Sequence, residues 1–130
     1  MSTPSRCAFC ELPSHRIIDH NHSGVVVRDA FPVSPGHTLV IAQRHVGSFF
    51  ELAKAERDDL LTLLDRARAQ LDAEFQAQGF NIGINDGAAA GQTVPHLHIH
   101  LIPRYLGDVA DPRGGVRRVI PGKADYWTPR

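Results

Sequence analysis

The chain has 130 residues, 42% of them hydrophobic and 22% charged, an ordinary composition for one globular domain with its own core. Lysine plus arginine and aspartate plus glutamate each number 14, so the formal net charge is zero. This balance argues against nucleic acid or an anionic membrane as a partner, because both attract strongly basic proteins. Neither a secretory signal nor an apolar run of the roughly 20 residues that cross a bilayer is visible. We therefore expect a cytoplasmic protein.

A lead that contains the two cysteines covers residues 1–16, and predicted strands follow it over residues 17–20, 25–31 and 38–43. Ser48-Phe-Phe-Glu51 has the S-x-x-E form of a capping box and predicts a short helix. From about residue 54 to residue 78 the apolar residues recur every three or four positions, which predicts an amphipathic helix lying on a sheet. Its apolar stripe consists of Leu60, Leu64, Ala67, Leu71 and Phe75. Gly79 is predicted to end it.

Two more strands are predicted after the long helix, over residues 80–85 and 96–102, with a Gly/Ala loop between them. Residues 105–130 are rich in proline, glycine and arginine and form a predicted C-terminal tail. Strands grouped around one long helix, without β-α-β alternation, indicate a single α+β domain with an antiparallel sheet.

The most informative segment is His96-Leu-His98-Ile-His100-Leu-Ile, in which histidine alternates with apolar residues. In a strand the three imidazoles would share one face, about 6.6 Å apart, and the apolar residues would enter the core. Two chemistries suit such a strand: a catalytic metal site with imidazole ligands, or nucleophilic attack on phosphorus by a neutral imidazole. The spacing alone does not decide between them.

The two cysteines, Cys7 and Cys10, form a C-x-x-C pair. In a reducing compartment such a pair is either half of a metal site or a redox motif. The redox interpretation is the weaker one, because a redox pair usually opens a helix after a strand, whereas Pro13 follows this pair in a terminal lead.

The segment GQTVPHLHIHLIPR, residues 91–104, resembles the H-φ-H-φ-H-φ-φ signature of the histidine-triad (HIT) superfamily, where φ is hydrophobic. The upstream segment RDAFPVSPGHTLVI, which begins at Arg28, resembles that family's nucleoside-binding strand and P-G-H turn. The loop Gly91-Gln-Thr is closer to the fragile-histidine-triad branch of dinucleoside polyphosphate hydrolases than to the phosphoramidase branch. The resemblance implies a HIT-like antiparallel sheet with one long and one short helix, assembled as a homodimer.

The resemblance also implies covalent chemistry at the α-phosphate of a purine nucleotide. His98 would be the nucleophile that forms a nucleotidyl-histidine intermediate, His100 would stabilise charge on the phosphate oxygens, and His37 would complete the cluster. Asp29 would bind the ribose hydroxyls. The residues implied at the phosphate or the leaving group are Asn85, Gln92 and Thr93. The simpler alternatives are a strand end at Asp29 and a turn at Asn85-Asp86-Gly87.

Some bacterial members of the superfamily also have an N-terminal C-x-x-C pair, and two histidines complete a zinc site in them. The matching histidines here are His45 and His96, so the resemblance implies a closed structural zinc site made by Cys7, Cys10, His45 and His96. No organic cofactor is expected.

The leading hypothesis is a hydrolase or transferase that cleaves nucleoside phosphoanhydrides such as diadenosine polyphosphates. The alternatives are a phosphoramidase or adenylyl-lysine hydrolase, a nucleotide-binding signalling module, and a hydrolase whose histidine triad holds a catalytic metal. Arg104 either contacts phosphate or ends its strand in solvent. Tyr126 and Trp127, in the locally basic tail, either anchor a dimer or cover the chain's own core.

Overall fold

The computed structural model describes residues 7–130, so the first six residues of the predicted N-terminal lead lie outside the described part. Five strands form one antiparallel sheet: β1 (Ile17–His20), β2 (Gly24–Arg28), β3 (Thr38–Ala42), β4 (Gly79–Gly83) and β5 (His98–Arg104). Their order across the sheet is β1-β2-β3-β5-β4. One long helix, α1 (Lys54–Phe75), packs on this sheet. The predicted α+β fold with an antiparallel sheet is confirmed.

Helix α1 begins where predicted but ends earlier. At its start, the Glu56 carboxylate accepts a hydrogen bond from the backbone N–H of Ala53 at 3.0 Å. The helix ends at Phe75 because Gln76 adopts a left-handed conformation with φ of 55°. The prediction that Gly79 ends the helix is therefore wrong, and Gly79 opens β4 instead. Glycine and asparagine are the usual residues at such a helix end, so nothing in the sequence marks Gln76.

The main core lies between α1 and one face of the sheet. The helix buries Leu60, Leu63, Ala67 and Leu71. Leu64 and Phe75 of the predicted stripe pack at its margin, and Leu63 takes the central place that the prediction gave to Leu64. The helix approaches β2 closely at Gly24, where an added Cβ would lie 2.4 Å from Leu60 Cδ2. A side chain at this position would therefore displace the Leu60 and Leu63 side chains of the helix.

Residues 7–16 of the N-terminal lead cover part of the opposite face of the sheet. Val27, Leu39 and Ile41 are buried there, and Phe9 and Leu12 are among the side chains that pack on them. Leu39 and Ile41 pair with His100 and His98 in the β3–β5 ladder. Directly opposed residues share a face of the sheet, so the lead and these two histidines lie on the same side.

Several strand ends differ from the prediction. β2 stops at Arg28 rather than residue 31, because the Asp29 carboxylate accepts the N–H of Phe31 at 2.8 Å and turns the chain. β3 stops at Ala42 rather than residue 43, and β4 covers Gly79–Gly83 rather than residues 80–85. β5 covers His98–Arg104 rather than residues 96–102, so His96 precedes the strand. The capping box at Ser48 and Glu51 is confirmed, and it starts a 3₁₀-helix over Phe49–Glu51.

The tail contains a 3₁₀-helix at Gly115–Val119, which contacts β4. The Arg104 guanidinium donates to the Asp108 carboxylate at 2.7 Å and to the Asn81 side chain at 2.6 Å, which ties the end of β5 to β4 and the tail. Trp127 lies under the Arg113 guanidinium at 4.3 Å. Within residues 7–130, no helix combines the length and the apolar character that crossing a membrane requires.

Candidate functional site

Strand β5 carries two of the three predicted histidines on its polar face. His98 and His100 lie half-buried, with ring centroids 5.0 Å apart, while Leu97, Ile99 and Leu101 are buried in the core. The predicted alternation is confirmed for these residues. His96 does not extend the row: it is completely buried just before the strand, and its ring approaches Cys7 and Cys10. His98 and His100 therefore belong to one cluster, and His96 belongs to another with the two cysteines.

The orientation of His98 is set by the backbone. Nδ1 of His98 lies 2.8 Å from the carbonyl oxygen of His96. A carbonyl oxygen only accepts hydrogen bonds, so Nδ1 carries the proton and the neutral ring has its free electron pair on Nε2. This is the tautomer that a nucleophilic imidazole needs.

A second chain of hydrogen bonds runs from the P-G-H turn to His100. The backbone N–H of Val33 donates to Nδ1 of His37 at 3.2 Å, so the proton of neutral His37 is on Nε2. Nε2 of His37 lies 3.0 Å from Nδ1 of His100 and 3.5 Å from the Asp29 carboxylate. With its Nδ1 accepting from His37, neutral His100 carries its own proton on Nε2, where it is a hydrogen-bond donor.

The surroundings of His37 and His100 favour the neutral form of both rings. Burial lowers the pKa of His37, and the nearby Asp29 carboxylate partly offsets the effect. Burial also lowers the pKa of His100, and the neighbouring His98 and His37 lower it further. Near neutral pH the pair is therefore a set of oriented dipoles rather than two cations.

A cavity of about 380 Å³ opens over His98 and His100. This volume is within the usual range for a small-molecule site. Six of the predicted functional residues line it: Asp29, Asn85, Gln92, Thr93, His98 and His100. His37 is behind His100 and is almost fully buried. Phe9 and Arg16 also line the cavity, and the sequence interpretation did not single them out. In the sequence, both residues stand out only by their position near Cys7 and Cys10, and a cysteine pair indicates a metal site rather than a cavity wall.

The loop before β5 is held by Gln92 and Asp86. The Gln92 side chain accepts the N–H of Gly87 at 2.8 Å and donates to the carbonyl of Gly47 at 2.8 Å. The Asp86 carboxylate accepts the Ser48 hydroxyl and the Phe49 N–H, both at 3.0 Å. Gln92 therefore has a role in loop structure, and its amide keeps one further N–H for another acceptor.

The second cluster consists of Cys7, Cys10, His45 and His96, whose donor atoms all lie within 4.8 Å of one another. Nδ1 of His96 is 3.4 Å from Sγ of Cys7 and 3.5 Å from Sγ of Cys10, and Nδ1 of His45 is 3.1 Å from Sγ of Cys10. In a tetrahedral zinc site, bonds of about 2.3 Å to sulfur and 2.0–2.1 Å to nitrogen place a sulfur ligand and a nitrogen ligand about 3.6 Å from each other. The donor set and its spacing fit a zinc ion.

His96 has the tautomer that a ligand at this position needs. Its Nε2 lies 2.6 Å from the carbonyl oxygen of Ala42, so Nε2 carries the proton and Nδ1 presents a free electron pair to the cysteines. Metal-bound histidines commonly donate their other N–H to a carbonyl in this way.

Asp29, His37 and His100 form another group whose donor atoms lie within 4.8 Å of one another. A metal there would need a free electron pair on Nε2 of His37, but the bond from Val33 to Nδ1 leaves the proton on that atom. The hydrogen-bond pattern therefore favours a proton-donating role for this group over a metal bound by Asp29, His37 and His100.

Known proteins resemble the chain in sequence and in fold. The HIT domain family model matches residues 10–107. An asymmetrical bis(5'-nucleosyl)-tetraphosphatase from Schizosaccharomyces pombe is 45% identical over 80 residues, which are 62% of this chain and 44% of that relative. The chain thus spans less than half the length of this curated relative.

Two solved structures cover most of the chain. A HIT family protein from Bacillus anthracis superposes with a TM-score of 0.74 and 33% identity, covering 82% of this chain and 78% of that one. A zinc-bound histidine triad family protein from Mycobacterium smegmatis superposes with a TM-score of 0.71 and 32% identity, covering 81% of this chain and 79% of that one. With the family match running from Cys10 past the histidine strand, the chain belongs to the HIT family.

Proposed function

We propose that the protein is a hydrolase or transferase that cleaves nucleoside phosphoanhydrides at the α-phosphate, with His98 as the nucleophile. The observation that carries the proposal is the 2.8 Å contact between His98 Nδ1 and the His96 carbonyl, which leaves Nε2 as the free nucleophilic nitrogen of a ring that lines the cavity. Membership of the HIT family and the tetraphosphatase name of the S. pombe relative support the same chemistry.

In the proposed reaction, the electron pair on Nε2 of His98 attacks the α-phosphorus. A P–N bond forms, and the bond from phosphorus to the bridging oxygen breaks. The leaving nucleoside polyphosphate keeps that electron pair as an oxyanion. Water or another acceptor then attacks the phosphorus and gives up its proton to solvent. The P–N bond breaks, its electron pair returns to Nε2, and a nucleoside monophosphate or its transferred ester is released. Throughout the reaction the proton stays on Nδ1, hydrogen-bonded to the His96 carbonyl oxygen.

The other lining residues have roles that suit a nucleotide. Nε2–H of His100 is a donor for the phosphate oxygens, on which charge accumulates in the transition state. The Asp29 carboxylate is an acceptor for ribose hydroxyls. Asn85, Thr93 and the remaining N–H of Gln92 provide further polar contacts to phosphate or leaving group. His37 acts through His100.

The substrate class is tested with purified protein and a panel of diadenosine tri- and tetraphosphate, adenosine phosphoramidate and an adenylylated lysine, comparing kcat/KM. We expect the dinucleoside polyphosphates to rank first. A preference for the P–N compounds would assign the protein to phosphoramidase chemistry. Tight AMP binding without turnover of any compound would favour a nucleotide-binding signalling module.

We further propose that Cys7, Cys10, His45 and His96 bind one structural zinc ion. Four protein ligands close the coordination sphere and leave no position for substrate. The ion would tie the N-terminal lead to the start of β5. The zinc-bound M. smegmatis relative supports the choice of metal. Metal analysis of the purified protein tests it, and we expect one zinc per chain.

We also propose that the protein is a cytoplasmic homodimer, paired through the β4 edge of the sheet. β4 is an edge strand of the sheet, and Ile82 on it is half-exposed. Val116 and Val119 of the neighbouring 3₁₀-helix are also exposed. Tyr126, which packs against Arg117 of that helix, is 67% exposed. A paired copy would cover this edge and its apolar surface. Light scattering at micromolar concentration tests the assembly, and a monomer there would contradict it.

A further inference from the structure

The turn between the two cysteines reaches the candidate nucleophile directly. Phe9, in the Cys7-Ala-Phe-Cys10 turn, lies edge-on to His98, with ring centroids 4.9 Å apart and an interplanar angle of 71°. The same ring meets His96 at 5.9 Å and 87°. One aromatic side chain therefore touches both a residue of the metal cluster and the ring that lines the nucleotide cavity.

Phe9 is itself held in place from two sides. The carbonyl of Cys7 accepts the N–H groups of Cys10 and Glu11 at 3.1 and 3.2 Å, which closes the turn around Phe9. The Phe9 ring packs on the buried apolar cluster of Val27, Leu39 and Ile41. Its position therefore follows from the turn geometry and from the sheet rather than from a flexible surface contact.

The ring of His98 is restrained by three neighbours. The His96 carbonyl holds Nδ1 at 2.8 Å, and the rings of His100 and Phe9 meet it at 5.0 and 4.9 Å. Both ring pairs meet edge to face, which is a preferred geometry for aromatic side chains. Without the Phe9 ring, His98 gains space to adopt other side-chain rotamers that turn Nε2 away from the cavity. Small displacements of a reacting group reduce rates strongly.

We propose that Phe9 is a positioning residue for His98, and that the cysteine turn serves the reaction by holding Phe9 against the nucleophile. The proposal rests on the assignment of His98 as the nucleophile in the proposed function. It also gives the metal cluster a second connection to β5 besides His96: a metal bound by Cys7 and Cys10 would fix the turn, and the turn holds Phe9.

The test compares Phe9→Ala and Phe9→Leu with the control variants Phe50→Ala and Phe50→Leu, because Phe50 is 76% exposed and does not line the cavity. The measurements are kcat with diadenosine tetraphosphate, the Kd for AMP, zinc content, and the His98 tautomer from long-range proton–nitrogen NMR spectra. We expect Phe9→Ala to lower kcat about 10- to 100-fold, and by more than it raises the Kd for AMP. Phe9→Leu should lie between Phe9→Ala and wild type, with zinc retained and a second His98 conformer visible.

A change confined to KM or to the Kd for AMP, with kcat and the His98 spectrum as in wild type, would overturn the proposal and make Phe9 only a wall of the cavity. If Phe9→Ala does not fold, Phe9→Leu, which removes less apolar volume, decides by the same criteria. If the wild type itself does not turn over diadenosine tetraphosphate, the proposed function fails. The NMR comparison still tests whether Phe9 orients His98.

Discussion

Nε2 of His37 lies 3.0 Å from Nδ1 of His100, and the hydrogen bond from Val33 to the other nitrogen of His37 gives this contact a direction. The proton of His37 points to His100, and the proton of His100 is left on Nε2. In the proposed reaction that proton faces the phosphate, so His37 contributes by fixing the tautomer of His100.

Replacement of these two histidines should give unequal losses. We expect His100→Ala to lower kcat about 10²- to 10³-fold, as for the loss of one donor to a developing oxyanion. His37→Ala should cost less, because it acts through His100, and the double variant should be no worse than His100→Ala. His20→Ala is the control, since His20 is exposed on the edge strand β1. Additive losses in the double variant would mean that the two residues act independently.

The burial of these rings also predicts a pH dependence of stability. The pKa values of His37 and His100 are lowered in the folded state, so the unfolded chain takes up more protons as the pH falls below about 7. The free energy of unfolding should therefore decrease as the pH falls through the unfolded value of about 6.5 towards the folded pKa values. Denaturant titrations between about pH 5 and 8 measure it.

The matched comparison is His100→Gln, with the metal retained. This variant should show a shallower loss of stability towards acid pH than wild type, since one buried neutral imidazole is gone. Equal slopes in the two proteins would show that His100 is not held neutral by the fold.

Gly36 in the P-G-H turn should be sensitive to substitution. Its φ is +86°, and an added Cβ would lie 2.9 Å from Leu71 Cδ2 and 3.1 Å from the Phe75 ring. Gly107 has a φ of +85° but nothing within 4 Å of an added Cβ, which makes it the matched control. We expect Gly107→Ala to cost about 1 kcal/mol from backbone strain. Gly36→Ala should cost clearly more in chemical denaturation, because its Cβ must also displace the Leu71 and Phe75 side chains of α1. Equal costs would contradict the packing argument.

Removal of zinc should destabilise the protein, because metal that binds only the folded cluster adds to its stability. Cys10→Ser should lower both the zinc content and the melting temperature, whereas His20→Ala should leave both unchanged. Chelation of the wild type should reproduce the loss, and added zinc should reverse it. A zinc-free preparation that melts at the same temperature would contradict a structural metal.

The sequence pattern predicted the histidine strand well because alternation of polar and apolar residues is set by the strand itself. The C-x-x-C pattern marked Cys7 and Cys10, and the family resemblance added His45 and His96, which the fold brings together with them. The alternation did not predict that His96 turns away from the row, since that depends on the bond from its Nε2 to Ala42. The place of Phe9 was also missed, because its contact with His98 joins residues 89 positions apart in the chain.

The central claim is covalent catalysis by His98, and the most direct measurement is mass spectrometry of protein quenched during turnover of diadenosine tetraphosphate. We predict a phosphorus–nitrogen adduct of one nucleoside monophosphate on the peptide that contains His98. In His98→Ala the adduct should be absent and kcat at least about 10³-fold lower, while AMP still binds. Near-normal turnover by His98→Ala, or an adduct on a different residue, would contradict the account.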